Sequence, residues 1–359
     1  MKILEKSSEL WPVADLEVLG YCPVCGSKDR VALHGPMTDR LFRCAPGNWQ
    51  LHTCQQCQLG YLDPRPSPQS IGRAYATYFT HGDTGQSENT GHLRAFRTRL
   101  RHGVRAVLND FRNQRWGMRL VPATRWGRLL VGAFPALRSL VLAHMRHLPP
   151  RPPYAGAKLL DVGCGDGAFL QAAQAAGWQV TGIDFDAKAL EVARSRGVHV
   201  VCGGLDVLKG DVGCYEYMTC SHVIEHVHSP AQWLRQMHAL LAPQGTLWLQ
   251  TPNLASLGHS YFGPDWRALD APRHLCLFTP NGLNSLMHET GFHCNFVKLP
   301  FFMAIPEYLF SHRLARYPGA KGIDLSSVFF IPIGFFMAVF QTFFCRKAEF
   351  MTVIARRTD

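Results

Sequence analysis

Two groups of residues in this 359-residue chain have types and spacing suited to chemistry at first sight. The first is a pair of CxxC knuckles, Cys22-Pro-Val-Cys25 and Cys54-Gln-Gln-Cys57, separated by 28 residues. Four thiolates in this pattern suit a closed tetrahedral zinc site, structural because no coordination position stays open. The plainer alternative is four free or buried thiols, and Cys44 reads as a spare thiol. Gly26 and Gly60 lie beside the knuckles, where tight turns need a positive φ. The second group is the loop Asp161-Val-Gly163-Cys-Gly165-Asp166-Gly167, between a strand-like and a helix-like run. Small residues permit a sharp bend and close approach of a ligand, and the following helix start offers free N–H groups. The loop reads GxGxG instead of the dinucleotide GxGxxG, and the acid at Asp161 repels a pyrophosphate. Asp184, 23 residues further on at a strand end, suits the two hydroxyls of a ribose. A ligand with a ribose and positive charge but no phosphate, S-adenosylmethionine (SAM), fits these residues better than NAD.

Residues 159–291 resemble the class I SAM-dependent methyltransferases. LLDVGCGDGAFL is similar to their motif I, VTGIDFD to motif II, CSHVIEHV to the fourth-strand motif, and LLAPQGTLWLQTPN to the segment holding the fifth strand. The resemblance implies that Gly163, Gly165 and Gly167 line the methionine part of SAM and that Asp184 holds its ribose. It also implies that Asp206, in GGLDVL, reaches the adenine. Asp161 acts through the loop backbone or water, and Ser221 of the fourth-strand motif joins the cofactor residues. The fold implied is α/β, a Rossmann-like seven-stranded sheet of order 3-2-1-4-5-7-6. The whole chain is similar to a bacterial subgroup in which a zinc ribbon ending YLDPRPS precedes the domain. Within it, resemblance speaks to reaction type and not to the acceptor.

A methyl acceptor with an oxygen nucleophile must lose a proton, which histidine can take near neutrality. Two histidine groups follow strand ends: His222-Val-Ile-Glu225-His226, and His274 in LDAPRHLCLFT. Glu225, His226 and His274 are the candidate catalytic residues. HxxEH sets two imidazoles four apart, on one face if helical, and also occurs in a zinc protease family whose other context is missing here. Ubiquinone-pathway and small-RNA O-methyltransferases carry a similar ExxEH that holds a divalent metal; here His222 replaces the first Glu, and His274 would complete such a site. The plain alternative is a structural His226 and a buried, hydrogen-bonded His274. Tyr261, Trp266, Asp270 and Arg273 share a loop expected to cover the acceptor, with Trp and Tyr stacking on rings and Arg binding phosphate or carboxylate.

The net charge of +11 is localised. Residues 93–151 hold thirteen Arg, no Lys and one acid, Asp110. Leu93, Phe96, Leu100, Val104, Leu108 and Phe111 recur at helical spacing, with Arg94, Arg97, Arg101, Arg105 and Arg112 between them. Such a helix, followed by Trp116 and Trp126, suits an anionic membrane surface, or less well a nucleic acid, for which no signature is found. The plain reading is a solvated helix packed on its own domain. Residues 325–345 (LSSVFFIPIGFFMAVFQTFFC) carry no charge and match a bilayer in length. Strands of one sheet flank this segment, so a single crossing is excluded. An in-plane or re-entrant membrane element, a buried helix and a partner-binding surface stay open. Composition, 47% apolar and 18% charged, excludes a disordered or collagen-like chain. No charged-then-apolar leader opens the sequence, so the expected location is cytoplasmic, peripheral on the inner membrane face.

These elements divide into residues 1–66 (zinc-ribbon-like), 67–151 (basic helical insert and linker) and 152–359, a methyltransferase domain with an apolar insert at about 301–346. Ser67 and Pro68 are expected to open a short helix through Tyr78. From residue 157 onward strands alternate with helices, as a parallel sheet covered on both faces requires. The expected activity is O-methylation of a glycan, lipid-linked or quinone-like small molecule. The rivals are a nucleic-acid methyltransferase and a non-enzymatic SAM-binding scaffold. Oligomeric state is open.

Overall fold

The computed structural model describes residues 10–76, 92–134, 137–138, 141–142, 145–149, 151–298, 301–317 and 325–358. The chain divides into two compact units, one of residues 1–78, 220–239 and 247–359, the other of residues 79–219 and 240–246. These units cut across the three segments read from the sequence.

The strands, in chain order, are β1 (Leu16–Glu17), β2 (Arg30–Met37), β3 (Trp49–Cys54), β4 (Gly60–Leu62), β5 (Arg65–Pro66), β6 (Lys158–Val162), β7 (Gln179–Asp184), β8 (His199–Cys202), β9 (Tyr215–Ser221), β10 (Leu241–Pro252), β11 (Cys276–Leu277), β12 (Phe292–Val297) and β13 (Phe350–Arg357). Seven of them form a sheet ordered β12-β13-β10-β9-β6-β7-β8. Counted from β6 and omitting β11, this is the expected 3-2-1-4-5-7-6. β6 pairs with β7 and β7 with β8 in parallel, while β12 and β13 are antiparallel. The apolar insert falls between β12 and β13, as expected.

The helices are α1 (His92–Trp116), α2 (Gly127–Ala133), α3 (Ala168–Ala175), α4 (Ala187–Ser195), α5 (Pro230–Leu240), α6 (Leu257–Phe262), α7 (Pro280–Glu289), α8 (Ile305–Arg316) and α9 (Leu325–Phe343). In the second unit, α3 buries Leu170 and Ala173, and α4 buries Ala189, Leu190 and Ala193. They share a core with Leu159, Trp178 and Val180. The Asp186 carboxylate caps α4 by accepting the N–H groups of Lys188 and Ala189.

The basic insert joins this same core through Phe111, Trp116, Met118 and Val131. Of its expected apolar face, Phe111 is buried in this core and Leu108 packs against it, while Val104 is half exposed. Ala106, Asn109, Asp110 and Trp116 of α1 are buried too, and the Asp110 carboxylate accepts the backbone N–H of Arg128 at 2.9 Å. Leu93, Phe96 and Leu100 have side chains outside the described residues.

The first unit holds a four-stranded sheet, β11-β4-β3-β2, with Cys276 opposite Tyr61. The ribbon is therefore completed by a strand more than two hundred positions away in sequence. The helix expected to start at Ser67 is instead a 3-10 turn, Ile71–Tyr75. The Ser67 carbonyl accepts the N–H groups of both Ser70 and Ile71, as a residue opening a helical turn does, and Tyr78 lies outside the described residues.

α1 and α2 cross closely because residue 127 lacks a side chain: a Cβ there would lie 2.2 Å from the Val107 carbonyl oxygen. Gly127→Ala is expected to destabilise the second unit by about 1–3 kcal/mol, read as a lower thermal midpoint.

Candidate active site

The bend after β6 has the left-handed backbone that glycine tolerates: φ is +77° at Gly163, +52° at Gly165 and +72° at Gly167. At Gly167 a Cβ would lie 2.8 Å from Ala193 Cβ and 2.9 Å from Val198 Cγ2. Asp184, at the end of β7, braces the bend. One carboxylate oxygen accepts the Gly165 N–H and the other the Asp186 N–H, both at 2.9 Å. Each oxygen keeps a lone pair for a ligand hydroxyl.

Asp161 is buried and accepts the Thr219 hydroxyl at 2.6 Å, so it supports the bend from beneath. Burial pushes its carboxyl up to about 7, and nearby Asp184 adds to this. Asp206 is exposed on the short turn after β8. A Cβ placed on Gly204 would lie 3.1 Å from both Asp206 Oδ1 and the Phe185 ring. Phe185, which the sequence reading missed, is 79% exposed beside Asp184 and offers a flat face to an aromatic base. Only its position directly after Asp184 could have signalled it. Ser221 is the half-buried last residue of β9.

In the first unit, Glu225, His226 and His274 come together, with potential ligand atoms all within 4.8 Å of one another. His226 and His274 rings lie 4.8 Å apart. His226 Nδ1 is 3.0 Å from the Arg273 carbonyl, and His274 Nδ1 is 2.7 Å from the Ala268 carbonyl. A carbonyl only accepts, so both Nδ1 atoms carry the proton and both Nε2 atoms present lone pairs. The Tyr75 hydroxyl also lies 2.9 Å from His226 Nδ1. Burial, followed by the neighbouring His226, pushes His274 down to about 4, so it is neutral at physiological pH.

Glu225 is fully buried. It accepts the Thr251 hydroxyl at 2.9 Å and faces His222 Nδ1 at 3.2 Å. Burial opposes its charge, but the His222 hydrogen bond and the field of the imidazoles hold its carboxyl down to about 2. His222 and His226 do not share a helical face. His222 is left-handed (φ +58°), and only Ile224–His226 make a short 3-10 turn. His222 is consequently outside the close cluster.

The loop after β10 is structural where an acceptor cover was expected. Arg273 has no exposed surface and binds Asp39 and Asp270, each at 2.6 Å. Trp266 is buried and donates Nε1–H to Glu349 at 2.8 Å. Three carboxylates, Asp39, Asp270 and Glu349, occupy the Arg273 and Trp266 groups read as ligand contacts. Tyr261 alone of the ring side chains in that set stays exposed, at 59%.

The four knuckle cysteines also converge. Cys22 and Cys57, and Cys25 and Cys54, stand with Sγ atoms 3.5 Å apart. Tetrahedral sulfur around zinc would require about 3.8 Å. Each knuckle is closed by a backbone bond, Gly26 N–H to Cys22 and Gln58 N–H to Cys54. The second positive φ belongs to Gln58, not to the expected Gly60. Gly60 is needed for space, since a Cβ would lie 2.8 Å from the Leu254 side chain. Cys44 lies outside the cluster, with Sγ 3.2 Å from the Ala74 carbonyl.

The raised pKa of Asp161 has a stability consequence. Its folded value near 7 exceeds the usual 3.8, so the stabilisation present below pH 4 is lost as pH rises through that window. Asp161→Asn is expected to raise the melting temperature by several degrees at pH 8 and to leave it unchanged at pH 4.

Comparison with known proteins agrees with this geometry. Residues 134–295 match a methyltransferase domain family. A ubiquinone biosynthesis O-methyltransferase from Thiobacillus denitrificans is 33% identical over 130 residues, 33% of this chain and 55% of that protein. One from Actinobacillus pleuropneumoniae is 37% identical over 112 residues, 27% of this chain and 47% of that protein. The chain thus spans about half the length of the curated relatives it matches. A solved S-adenosylmethionine-dependent methyltransferase from Mesorhizobium loti is 19% identical and covers 60% of this chain and 96% of that one, with a TM-score of 0.41. The glycine bend, the braced acid and the sheet order stand inside the matched segment or continue it. Residues 134–295 are therefore a methyltransferase domain of the class I, S-adenosylmethionine-dependent type.

Proposed function

We propose that this protein transfers a methyl group from SAM to a hydroxyl of a glycan, lipid-linked or quinone-like small molecule. When bound, SAM supplies an electrophilic methyl on a sulfonium. The chain's own residues do the rest. The free lone pairs of Asp184 take the ribose hydroxyls, and the glycine bend admits the methionine part against the backbone. Phe185 and Asp206 receive the adenine. His226 Nε2 accepts the acceptor proton, because the Arg273 carbonyl fixes the tautomer that leaves it free. His274, pushed down to about 4, is a poor base and serves as a neutral hydrogen-bond acceptor through Nε2. The observation that carries the oxygen-acceptor reading is this pair of free Nε2 atoms beside the buried Glu225 carboxylate.

A second reading rests on the same cluster. Glu225, His226 and His274 present one oxygen and two nitrogens, a set that suits zinc, iron or manganese better than magnesium. The four cysteines would hold a structural zinc, since four thiolates leave no open position. Metal analysis separates the cases. One zinc per chain, abolished by Cys25→Ser, fits the first reading, and a second metal lost in His226→Ala fits the other.

The acceptor's origin is proposed to be the inner face of the cytoplasmic membrane. Among the described residues no helix is long and apolar enough to cross a membrane. α9 nonetheless buries only Phe330, Met337, Ala338 and Gln341 among its larger positions, and leaves Phe329, Phe336 and Phe343 at 69–76% exposure. An apolar helix lying in the interface plane would cover that face.

Calorimetry with S-adenosylhomocysteine tests the donor role. The wild type is expected to bind, and Asp184→Ala to bind at least about tenfold more weakly. His226→Ala should bind normally, with turnover down by about 10²-fold or more on an accepted substrate. No binding by the wild type would support a scaffold instead.

A further inference from the structure

The basic insert has one feature that methyl transfer does not use. In the second unit, Phe111, Gln114 and Arg115 of α1, Arg128 and Gly132 of α2, and Arg138 line a cleft of about 490 Å³. Three arginines, all solvent-exposed, line this one space. The only acid of residues 93–151, Asp110, is already spent: it is buried and accepts Gln114 Nε2 at 3.0 Å and the Arg128 backbone N–H at 2.9 Å. The Arg128 side chain reaches only Gln114 Oε1, at 3.4 Å, and Arg115 lies over the Trp116 ring at 5.7 Å. Among the described residues, Arg115, Arg128 and Arg138 have no carboxylate partner. Gathering three cations without a counter-charge costs repulsion, which an anion in the cleft would relieve.

The geometry points to a phosphate-binding site in the α1–α2 cleft. Guanidinium forks match phosphate oxygens in bidentate fashion, and several arginines suit a multiply charged phosphate better than one carboxylate. The volume falls within the range of small-molecule sites. Phe111 at the wall and the missing side chain at Gly132 leave room for the group esterified to the phosphate. Two sources share this chemistry, a soluble phosphorylated molecule and a phospholipid headgroup. The site stands independently of the methyl-transfer reading, because its residues take no part in holding SAM or the acceptor.

The test uses the full-length protein and two probes. One is inorganic pyrophosphate, measured by calorimetry. The other is vesicles of phosphatidylcholine with or without one-fifth phosphatidylglycerol, measured by co-sedimentation. The cleft variant is R115Q/R128Q/R138Q. A control, R101Q/R119Q/R125Q, removes the same charge from exposed positions outside the cleft. The proposal expects the wild type to bind one probe or both and the cleft variant to lose at least tenfold in affinity, with the control within threefold of wild type. Pyrophosphate alone identifies a soluble ligand, and anionic vesicles alone identify a headgroup. Equal losses in both variants would show diffuse charge and overturn the site, as would binding of neither probe. S-adenosylhomocysteine affinity, measured alongside, should be unchanged in both variants and reports separately on the donor site.

Discussion

Arg273 has no access to solvent, and its charge is matched within the protein. Asp39 in the ribbon and Asp270 in the loop after β10 each approach it at 2.6 Å, the Ala74 carbonyl accepts from it at 2.9 Å, and the Phe42 ring covers it at 4.5 Å. These carboxylates hold the guanidinium well above its usual range despite burial. Removing the guanidinium would leave the buried Asp39 carboxylate without its cation, a loss of roughly 3–5 kcal/mol. The same residue offers its backbone carbonyl to His226. One side chain thus ties the cysteine-bearing ribbon to the loop, while its main chain fixes the tautomer of the proposed base. The ribbon is part of the histidine site's framework, as the pairing of β11 with β4 also indicates.

The donor site depends on a different constraint, an absence of side chains. Three glycines with positive φ make the bend, and Asp184 holds it by accepting the Gly165 N–H. A carboxylate so employed is oriented before any ligand arrives, which lowers the cost of ordering on binding. Asp161 contributes from below, as a buried group whose carboxyl is pushed up to about 7, and not as a contact on the ligand surface.

The alternation of strands and helices made the parallel sheet legible, because strands buried on both faces read as apolar runs bounded by glycine, while the strand order came from the resemblance of the motifs to class I methyltransferases. The knuckles and the glycine bend were legible because each requires particular residues at fixed short spacing. What was not legible depended on distant partners. Nothing near Arg273 or Trp266 announces Asp39 or Glu349, so both looked like ligand contacts when they are internal struts. The grouping of Glu225, His226 and His274 was legible, since both histidine segments follow strand ends; the place of His222 was not, because its left-handed backbone leaves it outside the cluster. On α1 the apolar period was right for a helix and for Phe111 and Leu108, but it did not foresee the buried Asp110, whose carboxylate meets the Arg128 backbone of α2.

The central claim is that this chain methylates a small hydroxyl-bearing acceptor. Incubating the protein with methyl-labelled SAM and a cell extract, then separating lipid, glycan, RNA and protein fractions, tests it most directly. Label is expected in the lipid or glycan fraction, lost with an Asp184→Ala or His226→Ala protein. Label confined to RNA or protein, or no transfer at all by a protein that binds S-adenosylhomocysteine, would contradict it.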